Sequence, residues 1–187
     1  MTPFEYLSVL VSIIVGLALT HLLSSSARLV QQRERIRLDG TVLAWLGFLL
    51  LANIQIWWVG FDRRSQETWT FFAFLLYLLI PVTAFLLSYL VLPDLEEHGE
   101  RDLRAHFAHN RRWFYPLLAL LPLVSLIEET VHDGRWPTDA DGWFRMGLAA
   151  AALAALRARG ARFDLWFAVS ALATLCAYIL LLFLRLA

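Results

Sequence analysis

The chain has 187 residues, and its sixteen basic residues balance its sixteen acidic ones, so the formal net charge is zero. Hydrophobic residues make up 59% and charged residues only 17%, with a mean hydropathy of +0.60. Soluble domains are roughly half apolar and about a quarter charged. Long apolar runs between short charged patches therefore indicate an integral membrane protein, and the lack of a basic block argues against a nucleic-acid partner.

Six apolar runs follow one another, and about 20 residues are needed to cross the hydrocarbon of a bilayer. We predict a single domain, an all-α polytopic transmembrane helical bundle of about six spans. The predicted spans cover residues 4–23, 41–61, 69–92, 113–131, 143–156 and 163–184. A cleaved signal peptide carries positive charge before its apolar core, whereas the only early charge here is Glu5. We therefore expect the first run to be a retained helix.

The fifth run is the weakest of the six because it is short and rich in Ala. It reaches across a membrane only if Arg145 and Arg157 extend to opposite interfaces, with their apolar stems in the hydrocarbon. A re-entrant or interfacial segment is the alternative, and it would move the C-terminus to the other side.

The distribution of Arg predicts the orientation of the bundle. Every basic residue is Arg, which is typical of GC-rich genomes, so we expect a bacterial protein. Eleven of the sixteen fall in the connections after the first, third and fifth predicted spans: Arg28, Arg33, Arg35, Arg37, Arg101, Arg104, Arg111, Arg112, Arg157, Arg159 and Arg162. Cytoplasmic loops are enriched in basic residues. We therefore predict a multi-pass protein of the bacterial inner membrane with both termini outside.

The longest connection, between the third and fourth spans, has the signals of a short cytoplasmic helix over residues 94–110. Pro93 suits a helix start, acidic residues crowd the first turn, and Arg111 and Arg112 lie near the end. Such a helix offers a contact surface for a soluble cytoplasmic partner.

Polar and small residues form a stripe along the first predicted helix. Glu5, Ser8, Ser12, Gly16 and Thr20 recur at three- and four-residue spacing, which places them on one face. Small residues at this spacing let helices approach closely in lipid, within one chain or between the copies of a homo-oligomer. The alternative is that the stripe lines a polar path.

A second polar group lies near the outer end of the fourth span. Ser125, Glu128 and His132 share one helical arc, and Glu129 is adjacent. Such a group could bind a cation or relay protons. Alternatively, it is an interfacial cluster paired with Arg63, Arg64 or Arg135, which we favour because interfacial charges cost little.

The second span carries two polar residues, Asn53 and Gln55, which are two positions apart and so face nearly opposite ways. Gln55 shares its side of the helix with small residues and is the better candidate for the bundle interior. Hydrogen bonding between helices is the more common use of such side chains.

No motif in the sequence predicts a catalytic residue, a cofactor or a metal. The helical zinc-protease motif needs two His four residues apart around a Glu, and Glu128, Glu129 and His132 supply only one. The single Cys176 forms neither an internal disulfide nor a metal site.

Three segments carry a resemblance to other proteins. These are residues 4–23, the pair Trp57 and Trp58, and the His-containing stretch that ends at residues 111–114. In these segments the chain resembles a group of small uncharacterised bacterial multi-pass inner-membrane proteins. The resemblance implies the same topology and says nothing about chemistry.

These observations predict a homo-oligomeric channel or transporter for a small ion or solute. The alternative is a structural or sensory membrane protein whose cytoplasmic helix binds a soluble partner. An intramembrane enzyme or redox protein is the least favoured hypothesis because no motif supports it. The candidate polar path or cluster comprises Glu5, Ser8, Ser12, Thr20, Gln55, Ser125, Glu128, Glu129 and His132.

Overall fold

A computed structural model describes residues 3–65, 69–93, 101–158 and 160–182. Over these residues the chain forms six α-helices: α1 (Pro3–Gln31), α2 (Gly40–Gly60), α3 (Phe71–Val91), α4 (Leu103–Asp133), α5 (Ala140–Ala155) and α6 (Ala161–Leu182). All except α5 are long and apolar enough to cross a membrane, and the chain is therefore an integral membrane protein. The prediction of an all-α bundle of membrane helices is therefore confirmed.

Polar residues placed just before the apolar runs determine where the helices begin. The carboxylate of Asp39 accepts hydrogen bonds from the backbone N–H groups of Thr41 and Val42 at the start of α2. Thr70, Asp102 and Asp139 cap α3, α4 and α5 in the same way. These caps satisfy N–H groups that have no partner within the helix.

Short non-helical pieces join the helices. A 3₁₀ helix, Phe61–Ser65, follows α2 directly. Two strands of two residues each, β1 (Ile36–Arg37) and β2 (Arg101–Asp102), pair in parallel with Ile36 opposite Arg101. This pairing holds the connection after α1 beside the connection before α4.

The separate cytoplasmic helix predicted over residues 94–110 is not confirmed. Residues 103–110 form the first turns of α4, and residues 94–100 lie outside the described part of the chain. Leu103 and Phe107, one turn apart, are buried in the bundle core. Their burial makes this segment an extension of the fourth apolar run, with Asp102 as its cap.

The first helix also continues beyond its predicted apolar run, which ends at residue 23. α1 extends to Gln31, and its later turns bury Ser25 and Leu29, four residues apart. An apolar run marks the part of a helix that crosses the hydrocarbon, whereas the helix itself ends where its packing ends.

The helices pack with alternating direction, so α1, α3 and α5 begin at one end of the bundle, called the N-terminal end. Arg145 of α5 bonds Ser125, while Arg111 of α4 bonds the carbonyl of Ala155, so α4 and α5 are antiparallel. The sixteen residues of α5 are about 24 Å long and return the chain to the opposite end.

The opposite end of the bundle is filled by an aromatic core of Trp45, Phe107, Phe114, Tyr115 and Phe167. The ring of Trp45 lies edge-on to Phe114 and Phe167, with centroid distances of 5.0 and 5.6 Å. Trp45, Phe114 and Tyr115 are fully buried. Edge-to-face packing of this kind joins α2, α4 and α6 in a dense layer.

Candidate binding cavity

A cavity of about 330 Å³ lies between the helices toward the N-terminal end. Each of the six helices contributes to its lining, as does the 3₁₀ helix. Its deeper part, the apolar floor, consists of Phe48, Ala52, Ile80, Leu121, Leu148 and Leu175. The part nearer the N-terminal end, the charged rim, consists of Arg63, Glu128, Glu129, Asp141 and Arg145. A volume of this size, lined mainly by apolar side chains with a few charged groups on one side, is typical of pockets for small ligands.

One ion pair of the charged rim joins the 3₁₀ helix to α4. The guanidinium Nη2 of Arg63 donates to Oε2 of Glu128 at 2.7 Å. Glu128 is only 7% exposed. The 3₁₀ helix directly follows α2 and so places Arg63 over the mouth of the bundle, where it offsets the cost of burying the carboxylate.

The second group of the charged rim is centred on Arg145 of α5. Its guanidinium forms ion pairs with Glu129 and Asp141, and it donates to the hydroxyl of Ser125 at 3.0 Å. The hydroxyl of Tyr178 in α6 donates to Asp141. These contacts connect α4, α5 and α6 and leave Arg145 only 9% exposed. Arg145 therefore points into the bundle rather than extending to an interface.

The charged rim does not balance its own charge. Three carboxylates and two guanidiniums line the cavity, which gives this part of the lining a net charge of −1 with every group ionised. Two buried donors in the lining, Nε2 of Gln55 and Nε of Arg145, have no hydrogen-bond partner among the described residues. Buried donors are seldom left without a partner, and an acceptor atom of a bound molecule would supply one.

Aromatic rings form part of the cavity wall. Phe144 stacks on Tyr178 with a centroid distance of 4.4 Å, and Phe48 and Tyr77 also line the space. Tyr77 depends on the glycine at position 60, since a Cβ there would lie 2.7 Å from the Tyr77 hydroxyl. The wall therefore places aromatic side chains beside the charged rim.

The cavity is closed on its deep side. Phe48 of the apolar floor contacts Trp45 of the aromatic core, with ring centroids 5.3 Å apart. Behind it, Leu49 and Leu118 are also fully buried. Through the described residues, the space is therefore not continuous with the opposite end of the bundle.

The structure divides the predicted site residues into two sets. Gln55, Ser125, Glu128 and Glu129 line the cavity together. The remaining residues do not line it: Glu5, Ser12, Thr20 and His132 are exposed, and Ser8 is half-buried. Among its described residues, α1 contributes only Val11 to the lining, because its inward face is the apolar one.

Asn53 is the more deeply buried of the two polar residues of α2. Its Nδ2 donates to the carbonyl of Leu49 and, at 3.4 Å, to the hydroxyl of Ser88 in α3. Asn53 thus makes the hydrogen bond between helices, while Gln55, which is half-buried, lines the cavity.

Sequence reasoning did not place Asp141, Arg145, Tyr77 or Tyr178 in the site. The available signal was the spacing of Asp141 and Arg145, which are four residues apart and so meet on one helix face. Because Arg145 lies in the short fifth run, the sequence favoured an interfacial position for it.

Comparison with known proteins adds no assignment. No protein-family model, curated protein or solved structure matches the chain. Within the described residues, no group of three or more His, Cys, Asp or Glu is placed to hold a metal ion.

Proposed function

We propose that the chain is a membrane carrier that binds a small solute in the cavity between its helices. The observation that supports this proposal is the cavity itself, with an apolar floor and a charged rim inside a bundle of apolar helices. Ionisable groups within a membrane bundle are costly to bury, and they commonly mark the route of an ion or substrate. Carriers bind their substrates in such spaces between helices.

The closed floor favours a carrier over an open channel. A channel needs a continuous polar path, but the aromatic core lies directly behind Phe48. The polar stripe of α1 does not provide such a path, because Ser12 and Thr20 face outward. Release on the other side would require the helices to repack, as in alternating access.

We further propose that the helices cross a bacterial inner membrane six times, with both termini outside. The antiparallel packing of α5 on α4 supports six crossings, and β1 and β2 hold two of the Arg-rich connections together. In a Cys176→Ser background, Arg135→Cys should react with an impermeant maleimide in intact cells. Arg35→Cys should react only after permeabilisation, and the reverse pattern would contradict this orientation.

Binding of a soluble partner by residues 103–110 has less support. Leu103 and Phe107, the apolar residues that would form such a contact, are already buried in the bundle core. The homo-oligomer stays a prediction, which a substitution on the outward face of α1 can test.

The carrier proposal is tested by filling the cavity. We expect Ala52→Leu, on the apolar floor, to reduce solute uptake into proteoliposomes at least about tenfold, because the added side chain occupies the binding space. A panel of radiolabelled cations, anions and neutral solutes would be screened first with the unmodified protein.

The matched control is Ala173→Leu on the exposed surface of α6, which should leave uptake unchanged. Uptake that is equal in both variants would contradict the carrier proposal. Single-channel currents in planar bilayers would contradict it too, because they require a path that the floor closes.

A further inference from the structure

We propose that the ligand of this cavity is a monovalent organic cation with an apolar body, such as a quaternary ammonium compound. The inference rests on the proposed carrier function and names its substrate class. It follows from the net charge of the rim, the aromatic wall and the apolar floor taken together.

The charge of the rim selects the sign of the ligand. With all five described rim groups ionised, Arg63 and Arg145 balance two of the three carboxylates, so the rim carries a net charge of −1 beside a space lined by apolar groups. Electrostatic interactions are stronger in such surroundings than in water. A single positive charge on the ligand would balance the site, whereas an anion would raise its charge to −2.

The aromatic wall selects the type of cation. Phe48, Tyr77, Phe144 and Tyr178 present aromatic rings to the space. Aromatic faces attract cations, and they recognise quaternary ammonium groups that cannot donate hydrogen bonds to carboxylates. A small hydrated metal ion would gain little from this wall or from the floor, while an ammonium group attached to an apolar body would use both.

The apolar floor and Gln55 further restrict the structure of the ligand and its orientation in the cavity. Ala52, Leu121 and Leu148 can cover an apolar body only if the charged group points toward the rim. Nε2 of Gln55, in the same lining, lacks a partner among the described residues, so an ether or carbonyl oxygen on the ligand would gain a hydrogen bond.

The test uses three probes of similar shape and different charge. Radiolabelled benzyltrimethylammonium is bound to the purified protein in lipid nanodiscs, with empty nanodiscs as the blank. Unlabelled neopentylbenzene, its uncharged carbon analogue, and benzenesulfonate serve as competitors. We expect saturable binding of the cation, competition at least about tenfold weaker by the neutral analogue, and none by the anion.

Two variants that change the rim charge in opposite directions separate electrostatics from damage to the fold. Asp141→Asn brings the net charge to zero and should weaken cation binding about tenfold. Arg63→Gln brings it to −2 and should strengthen binding by a similar factor. Arg135→Gln, an exposed residue that does not line the cavity, should leave the affinity unchanged.

The outcomes distinguish this inference from the carrier proposal. If Arg63→Gln weakens binding as Asp141→Asn does, the rim acts as a structural unit and the cation inference is wrong. If the cation does not bind, but another solute is taken up in a manner that Ala52→Leu abolishes, the ligand class is wrong and the carrier remains. If Ala52→Leu leaves all uptake unchanged, the carrier proposal itself fails.

Discussion

The two ends of the bundle use the same three side-chain types in different surroundings. At the opposite end, Arg111 and Tyr115 of α4 both donate to Asp164 of α6, at 3.0 and 2.7 Å. Arg111 also donates to the carbonyls of Ala155 and Ala158, where α5 ends. This Arg, Asp and Tyr group lies beside the aromatic core and closes the contact between three helices.

At the N-terminal end, Arg145 and Tyr178 both contact Asp141 in the same combination. Here the group is shared between α5 and α6, and Arg145 reaches Glu129 of α4 as well. The space beside it is the cavity rather than packed rings. At the opposite end, Arg111 and Asp164 border a smaller space of about 210 Å³, while Tyr115 is fully buried in the aromatic core.

The difference shows that residue type alone does not identify a binding site in a membrane bundle. Asp164 and Asp141 each join an Arg and a Tyr, but only Asp141 lines the cavity beside the charged rim. A polar group whose tyrosine is fully buried among packed rings contributes to stability, because losing the aspartate leaves that hydroxyl buried and unpaired. A polar group beside a cavity can exchange its partners with a ligand.

The sharpest test of this comparison removes each aspartate in turn. We expect Asp164→Ala to lower the free energy of unfolding by about 4 kcal/mol, because Arg111 loses its charged partner and the fully buried hydroxyl of Tyr115 loses its acceptor. Asp141→Ala should cost only about 1 kcal/mol, because Arg145 keeps Glu129 and Ser125, and the hydroxyl of Tyr178 borders the cavity, where water can accept its hydrogen bond. Unfolding in mixed micelles of rising sodium dodecyl sulfate measures both.

Asp102→Ala serves as the control, since Asp102 is exposed and caps only the start of α4. It should cost about 1 kcal/mol, the usual value for losing a helix cap. Equal losses for Asp164→Ala and Asp141→Ala would break the distinction between the two ends. A larger loss for Asp141→Ala would make the charged rim a structural element in its own right.

The helices could be predicted from the sequence because hydrophobicity and capping are local signals. Asp39 and Thr70 stand before α2 and α3, and the apolar runs that follow coincide largely with the helices. The extent of α4 was missed because residues 94–110 were predicted to form a separate cytoplasmic helix, although Leu103 and Phe107 are buried in the bundle core. Whether two apolar residues pack against lipid, solvent or the bundle depends on neighbours that spacing does not reveal.

The candidate site was predicted in part. Ser125, Glu128 and Glu129 came from spacing along one helix, and Arg63 was among the partners considered for the acidic pair. The contribution of α5 could not be found in this way, because the contact between Arg145 and Glu129 depends on how two helices pack. A long polar side chain in a short apolar run fits both an interfacial and an inward position.

For the polar stripe of α1, the sequence predicted the periodicity but not the side of the bundle that the stripe faces. The periodicity of Ser8, Ser12 and Thr20 was clear, but it does not tell which side of the helix faces the bundle. Val11, Val15 and Ala18 occupy the inward side, since apolar side chains fill the contact with α3. The stripe is consequently the outward face of a helix whose inward face borders both ends of the bundle.

The smallest effect is expected from a change on this outward face. A Cβ at Gly16 would meet nothing within 4 Å, so Gly16→Leu should leave the stability of the monomer within about 1 kcal/mol of its value. If copies of the chain pack through the stripe, the same change should prevent their close approach and lower the particle mass measured by light scattering in detergent.

Gly147→Leu on α5 is the matched control, because that glycine is equally open. A mass unchanged by Gly16→Leu would exclude the stripe as the contact between copies. It would also leave both ends of the bundle as properties of a single chain, because neither the cavity nor the aromatic core contains a residue of the outward face.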